Sequence, residues 1–368
     1  MMQEMLCEDL YMRSFKKNML IAVAVILTCL ISYSFFNIIE MPDYAVYTKL
    51  MLHDMYTGED CDIVFLGSSK TYSTICPETV RENLSMTAFD LASSGQGMMG
   101  GYYLLKEYFD FHDTNYVVLE MQENKLLGFG LDGKGINAGN YQITDALKKT
   151  NSTYWNYFKE AYSFDNYFGA FLPVVHYRSN FTYGFAKNRI FSGQWLKIIT
   201  NRPYGEYKGN GYLNEESYNG EFIDKTIIEY SESVLNFDTE LCEDSVLYFE
   251  KTLQLCNENN CKLILITYPV TDHATSINKI QECNDFYSEF AQRYNLDYIN
   301  MMLCKEYSVV KDDAYDFSDE GHMNDFGAKK YSYFVCEELK KVFNEEDYTA
   351  DFYSTAKEWA IDRRQLVE

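Results

Sequence analysis

Two short segments carry residue types that could do acyl-transfer chemistry together. Gly67-Ser68-Ser69 follows a brief apolar run at once, and Asp319-Glu320-Gly321-His322 stands just before the last strongly periodic stretch. A serine hydroxyl is a poor nucleophile at neutral pH and needs a base to take its proton. An aspartate three residues before a histidine can hold the imidazole Nδ1–H, fixing the tautomer and turning Nε2 toward a nucleophile. The chain has five histidines, which limits coincidence. A Gly-Ser-Ser turn alone says little, because most such turns are merely turns or helix caps. The reading of Ser69 as nucleophile, His322 as base and Asp319 as orienting carboxylate rests on the two segments together.

Elements must bring these segments to one place. Asp62–Leu66 is an apolar run ended by Gly67, as expected of a buried parallel strand. Further strands are predicted at Thr87–Leu91, Tyr116–Met121, Lys262–Tyr268 and Leu296–Met301. Helices are expected at Pro77–Leu84, Met98–Tyr108, Leu241–Glu258, Ile277–Tyr294 and Asp325–Phe343, the first opened by a proline where proline is favoured. Strands separated by helices imply an α/β fold, a three-layer α/β/α sandwich around a central parallel sheet of flavodoxin-like type. Sites in such sheets form beyond the C-terminal ends of the strands, where Ser69 falls.

An aromatic-rich insertion over 126–235 interrupts the alternation, with Tyr154, Trp155, Tyr157, Phe158, Phe164 and Phe168 in one cluster. Such residues stack on sugars, sit at membrane interfaces or form the insertion's own core, and the composition leaves all three open. The stretch 346–368 is an acidic, aromatic C-terminal tail with helical spacing and no obvious destination.

Met19–Ile39 holds no charged residue and reaches about 30 Å as a helix, the thickness of a bilayer's hydrocarbon core. A cleaved signal peptide is the competing reading, but its apolar core would be shorter and no small-x-small site follows. Arg13, Lys16 and Lys17 precede the run, while Glu40 and Asp43 follow it. The positive-inside rule then expects a single-pass protein of the cell membrane. Residues 1–18 form its cytoplasmic tail, 19–39 its transmembrane anchor, and the body lies outside.

The formal net charge of -23 argues against nucleic acid as a partner, because phosphate binding needs clustered Lys and Arg. The cysteines from Cys61 to Cys336 show no CxxC pair and no accompanying histidine at metal-ligand spacing, and acyl transfer through a serine requires no metal or other cofactor. Buried free thiols are their ordinary reading, with a disulfide between Cys256 and Cys261 left open.

The Gly-x-Ser block after the first strand and the Asp-x-x-His block near the C-terminus, extended by Met323-Asn324 and Gly327, resemble the SGNH/GDSL hydrolase superfamily over about residues 60–345. That resemblance implies a second block at Leu91–Gly97, in which the Gly95 N–H helps bind an oxyanion, and a third in which Asn124 does the same. Here Ser68 stands where many members have Asp, and Gln122 and Glu123 replace the usual glycines before the asparagine. The anchor, Ser68 and the insertion resemble the branch of membrane-anchored surface O-acyltransferases that includes the D-alanyl-lipoteichoic acid transfer proteins. This implies an acyltransferase or esterase acting on a cell-envelope polysaccharide or teichoic acid through an acyl-serine, beside a membrane-bound O-acyltransferase. The rival is a non-catalytic SGNH-like domain that binds glycan or scaffolds such an acyltransferase.

Among the other histidines, His273 lies in the loop after the fourth strand and is a candidate for lining the substrate pocket, with a plain loop histidine as the alternative. His176, in the insertion, is a candidate substrate contact together with Arg178. His53 and His112 read as structural.

Overall fold

The computed structural model describes residues 2–122, 126, 138–202, 207–213 and 241–367. These fall into two compact units, one made of residues 1–42 and 168–200, the other of 43–167 and 201–368.

The larger unit is α/β. Its five-stranded sheet runs β2-β1-β3-β6-β7, with β1 at Ile63–Gly67, β2 at Ala88–Ala92, β3 at Tyr116–Glu120, β6 at Lys262–Thr267 and β7 at Asp297–Asn300. Every neighbouring pair is parallel, in registers that set Gly67 beside Ala92, Glu120 beside Ile266 and Thr267 beside Asn300. All five C-terminal ends therefore share one edge. The chain moves from β1 to β2 on one side and then to β3 on the other, which opens a crevice beyond β1 and β3. A short antiparallel hairpin, β4 at Tyr207–Gly209 and β5 at Tyr212–Leu213, forms a separate two-stranded sheet whose turn accepts from Asp90 N–H of β2 at 2.9 Å.

The strands are buried along both faces, as continuous apolar runs require. Ile63, Phe65, Val118, Ile264 and Ile299 share a core with Tyr331, Val335 and Leu339 of the helix Asp325–Phe343. The helices Met98–Phe109 and Glu243–Glu258 pack on each other.

Three features extend the sequence reading. Asp43–Thr57, to which the sequence reading assigns no element, is a helix with a buried face at Val46, Leu50 and Met51. The C-terminal segment, read as helical with no obvious destination, has one. Its helix Ala356–Val367 buries Ala356, Trp359 and Ala360 against Ile280, Met302 and Leu303. Cys256 and Cys261 are both free thiols, and the Cys261 N–H donates to the Cys256 carbonyl at 2.9 Å. The insertion is also divided. Helices Ala138–Ala146 and Ser152–Ala161 belong to the larger unit, 168–200 to the smaller, and much of 203–240 lies outside the described residues.

The smaller unit contains the N-terminal helix Met2–Glu40. Its stretch Tyr11–Glu40 is 30 residues of mostly apolar, unburied side chains, long enough at about 45 Å to cross a membrane.

The helix Asp325–Phe343 begins at a defined point because Asn324 caps it, its Oδ1 accepting from Gly327 N–H at 3.0 Å. A Cβ on Gly327 would stand 2.0 Å from the backbone oxygen of Asp316. Gly327→Ala is expected to cost about 3 kcal/mol, read as a lower urea midpoint by circular dichroism. An unchanged midpoint would show that the backbone at Asp316 yields freely.

Candidate active site

β1 ends at Gly67, and the chain turns at once into the short helix Ser69–Thr74, with Ser68 as its cap. Glycine is required there by close approach, since a Cβ on Gly67 would lie 2.0 Å from Thr71 Oγ1 and 2.3 Å from Glu120 Oε2. Ser69 is thus the first residue of that helix, at the edge of the sheet where the crevice opens.

His322 arrives from the far end of the chain. Phe317 and Met323 bridge in antiparallel fashion, and Ser318 N–H donates to the His322 carbonyl at 2.9 Å, which closes the intervening residues into a tight loop. Within it Asp319 Oδ1 accepts from the N–H groups of Gly321 and His322, both at 2.8 Å, a local side-chain turn that short acidic residues favour. The same carboxylate meets His322 Nδ1 through Oδ2 at 2.8 Å, and His322 Nε2 lies 2.8 Å from Ser69 Oγ. An ionised carboxylate can only accept, so the geometry assigns the proton to Nδ1 and leaves Nε2 to accept from the serine hydroxyl. Such a chain can take the hydroxyl proton as the oxygen attacks a carbonyl.

Partial burial works to raise the Asp319 pKa, but the bonds from the imidazole and from the Gly321 and His322 N–H groups outweigh it and hold the carboxyl down to about 2. A depressed carboxyl stabilises the fold above the ordinary carboxylate range and loses that contribution as pH falls through about 2. The orienting charge therefore persists in mild acid.

Glu120, the last residue of β3, holds the serine turn in place, and the sequence reading assigned it no role. Its fully buried carboxylate accepts from Ser68 N–H, from Ser68 Oγ at 2.8 Å and from Thr71 Oγ1 at 2.9 Å. The available signal was an acid ending an otherwise apolar strand, a placement too costly to keep unless donors await it.

The second loop is tied to the first by Ser93 N–H, which donates to the Gly67 carbonyl at 3.2 Å. Gly95 occupies the left-handed region, φ +62°, in a turn closed by Gln96 N–H to the Ser93 carbonyl at 3.1 Å. Asn124 lies outside the described residues.

The Asp319–His322 loop is clamped from outside. The Glu320 carbonyl accepts from Thr271 N–H at 3.1 Å and from Thr271 Oγ1 at 3.2 Å. The next residue, Asp272, is held by Lys311 at 2.5 Å and by Arg363 of the C-terminal helix at 2.8 Å. Burial alone would raise the Asp272 carboxyl, and the two cations bring it below its usual range. His273 follows in the short turn Asp272–Ala274, its side chain outside the described residues.

A cavity of about 280 Å³ is lined by Lys70 and Gly321, the sequence neighbours of Ser69 and His322, and by Gln122, Lys279, Cys283 and Asn300 among others. Lys70 Nζ donates to Gln122 Oε1 at 3.2 Å. Desolvation pushes the Lys70 ammonium below its ordinary pKa against the pull of the Glu120 and Asp319 carboxylates.

His176 and Arg178 belong to the smaller unit, whereas Ser69, Asp319 and His322 belong to the larger. There the His176 Nδ1 lies 3.0 Å from the Gly169 carbonyl, and Arg178 donates to the Val175 carbonyl. His112 bonds the Met55 carbonyl at 2.6 Å and Asp60 at 3.1 Å. Among the described residues, no group of three or more His, Cys, Asp or Glu side chains is placed to hold a metal ion. No protein-family model and no curated protein matches the chain.

Glu120→Gln keeps the shape but offers one acceptor oxygen to three donors, so the serine turn should loosen. Hydrolysis of an activated aryl ester is expected to fall about tenfold with the circular dichroism spectrum unchanged. An unaltered rate would remove Glu120 from a positioning role.

Proposed function

We propose that this chain is a membrane-anchored serine acyltransferase or esterase of the SGNH type, acting outside the cytoplasm on a cell-envelope polysaccharide or teichoic acid. One observation carries the reading, the hydrogen-bonded series Asp319–His322–Ser69, whose last two members are 253 residues apart in sequence. The parallel sheet flanked by helices supports the three-layer sandwich that the resemblance implies, with the serine, the second loop and the histidine loop each following an element that such a fold would use.

In the proposed reaction His322 Nε2 takes the Ser69 proton as Oγ attacks the carbonyl carbon of an acyl ester. The tetrahedral oxyanion rests on backbone N–H groups near Ser69 and Gly95, with Asn124 as a further donor, and the imidazolium is stabilised by Asp319. Collapse expels the leaving alcohol, which takes the proton from His322 and leaves an acyl-serine. A sugar or polymer hydroxyl, or water, then attacks with the same histidine as base and releases Ser69. The cavity lined by Lys70 and Lys279 receives a polar part of the substrate. The uncharged span Met19–Ile39, preceded by Arg13, Lys16 and Lys17 on the cytoplasmic side, tethers the body to its substrate and to a membrane-bound O-acyltransferase as donor.

Surface-polymer acylation in a strain carrying only the Ser69→Ala chain separates the readings. Lower acylation than wild type is the outcome expected for a transferase, and higher acylation identifies an esterase. Wild-type acylation with Ser69→Ala, but not in the deletion strain, would replace catalysis with a scaffold.

A further inference from the structure

Residues 168–200 differ from the rest of the chain in charge. In a protein of net charge -23 this stretch contains no Asp or Glu, while it carries Arg178, Lys187, Arg189 and Lys197. It also exposes large apolar side chains that a water-facing surface rarely gathers, with Phe168 at 73 %, Tyr183 at 82 % and Phe191 at 81 %, and with Phe181, Trp195 and Leu196 beside them in the same unit.

This stretch packs on the outer end of the N-terminal helix. Phe181 meets Phe36 edge-on at 5.8 Å. Arg189 is buried and donates to the Met41 carbonyl at 2.7 Å, just past the end of that helix. Leu30, Ile31 and Phe35 of the long helix form an apolar crevice of about 500 Å³ with Ile190, Trp195 and Ile199. The helix Gln194–Ile199 thus lies alongside residues well inside the apolar span, while Lys187 and Lys197 are exposed.

We propose that residues 168–200 form a membrane platform. Its aromatic and aliphatic side chains enter the boundary between headgroups and acyl chains, a lipid tail fills the crevice beside the long helix, and Arg178, Lys187 and Lys197 meet anionic headgroups. The proposal rests on the reading of Tyr11–Glu40 as the membrane span. The bilayer is the occupant because the platform continues the surface of that span and because its charge is opposite in sign to the rest of the chain. Lys and Arg stems lie along apolar surface while their heads reach the headgroup layer, and aromatic side chains favour the same depth.

The test uses the full chain in nanodiscs of phosphatidylcholine and phosphatidylglycerol in equal parts, with or without bromine near the top of the acyl chains. Subtracting the emission of Trp195→Phe from that of the wild type isolates Trp195. Bromination is expected to quench this component at least about twofold, and Lys187→Glu with Lys197→Glu to reduce that quenching. Unchanged emission on bromination, with the chain retained in alkaline carbonate, would overturn the platform and leave the anchor standing. Release of the chain by carbonate would overturn the anchor reading, and this proposal with it. Equal quenching in discs of phosphatidylcholine alone and in the mixed discs would overturn the headgroup charge contact.

Discussion

The contact of His322 Nε2 with Ser69 Oγ at 2.8 Å imposes the main constraint on this structure. One partner leaves the first strand and the other precedes the helix Asp325–Phe343, so the sheet must bring their loops to a common edge. Parallel strands do this because every C-terminal end points the same way. Each side of the contact then has its own support. Glu120 gathers the donors of the serine turn, while Asp319 shapes the histidine loop through two backbone N–H groups before it meets the imidazole.

The histidine loop is braced by charge at a distance. Arg363 and Lys311 neutralise Asp272, whose neighbour Thr271 holds the Glu320 carbonyl. Lys311 and Arg363 are both nearly inaccessible, so the ions are compensated within the fold rather than by solvent. Removing one member of such a group costs more than the pair contributes, because it strands a buried charge. The C-terminal helix is therefore tied to the loop that carries His322.

The strands were legible within a residue or two because buried parallel strands are continuous apolar runs, as in Ile63–Gly67 and Lys262–Thr267. The Asp319–His322 turn was legible because its bonding is local. What escaped depended on partners remote in sequence. Glu120 reads as a charge at a strand end until Ser68 and Thr71 meet it, and Arg363 reads as a tail residue until Asp272 does. The aromatic cluster proved divided, with Tyr154, Tyr157 and Phe158 buried and Trp155, Phe164 and Phe168 exposed. Composition alone could not separate them, since the same residue type serves a core or an interface.

The central claim is that Ser69 is a nucleophile activated by His322. Treating the purified chain with a fluorophosphonate and mapping the adduct by peptide mass spectrometry tests it directly. The account predicts modification of the peptide bearing Ser69 in the wild type, a much slower reaction in His322→Ala and no adduct in Ser69→Ala. An adduct formed in equal yield by the Ser69→Ala chain would contradict it.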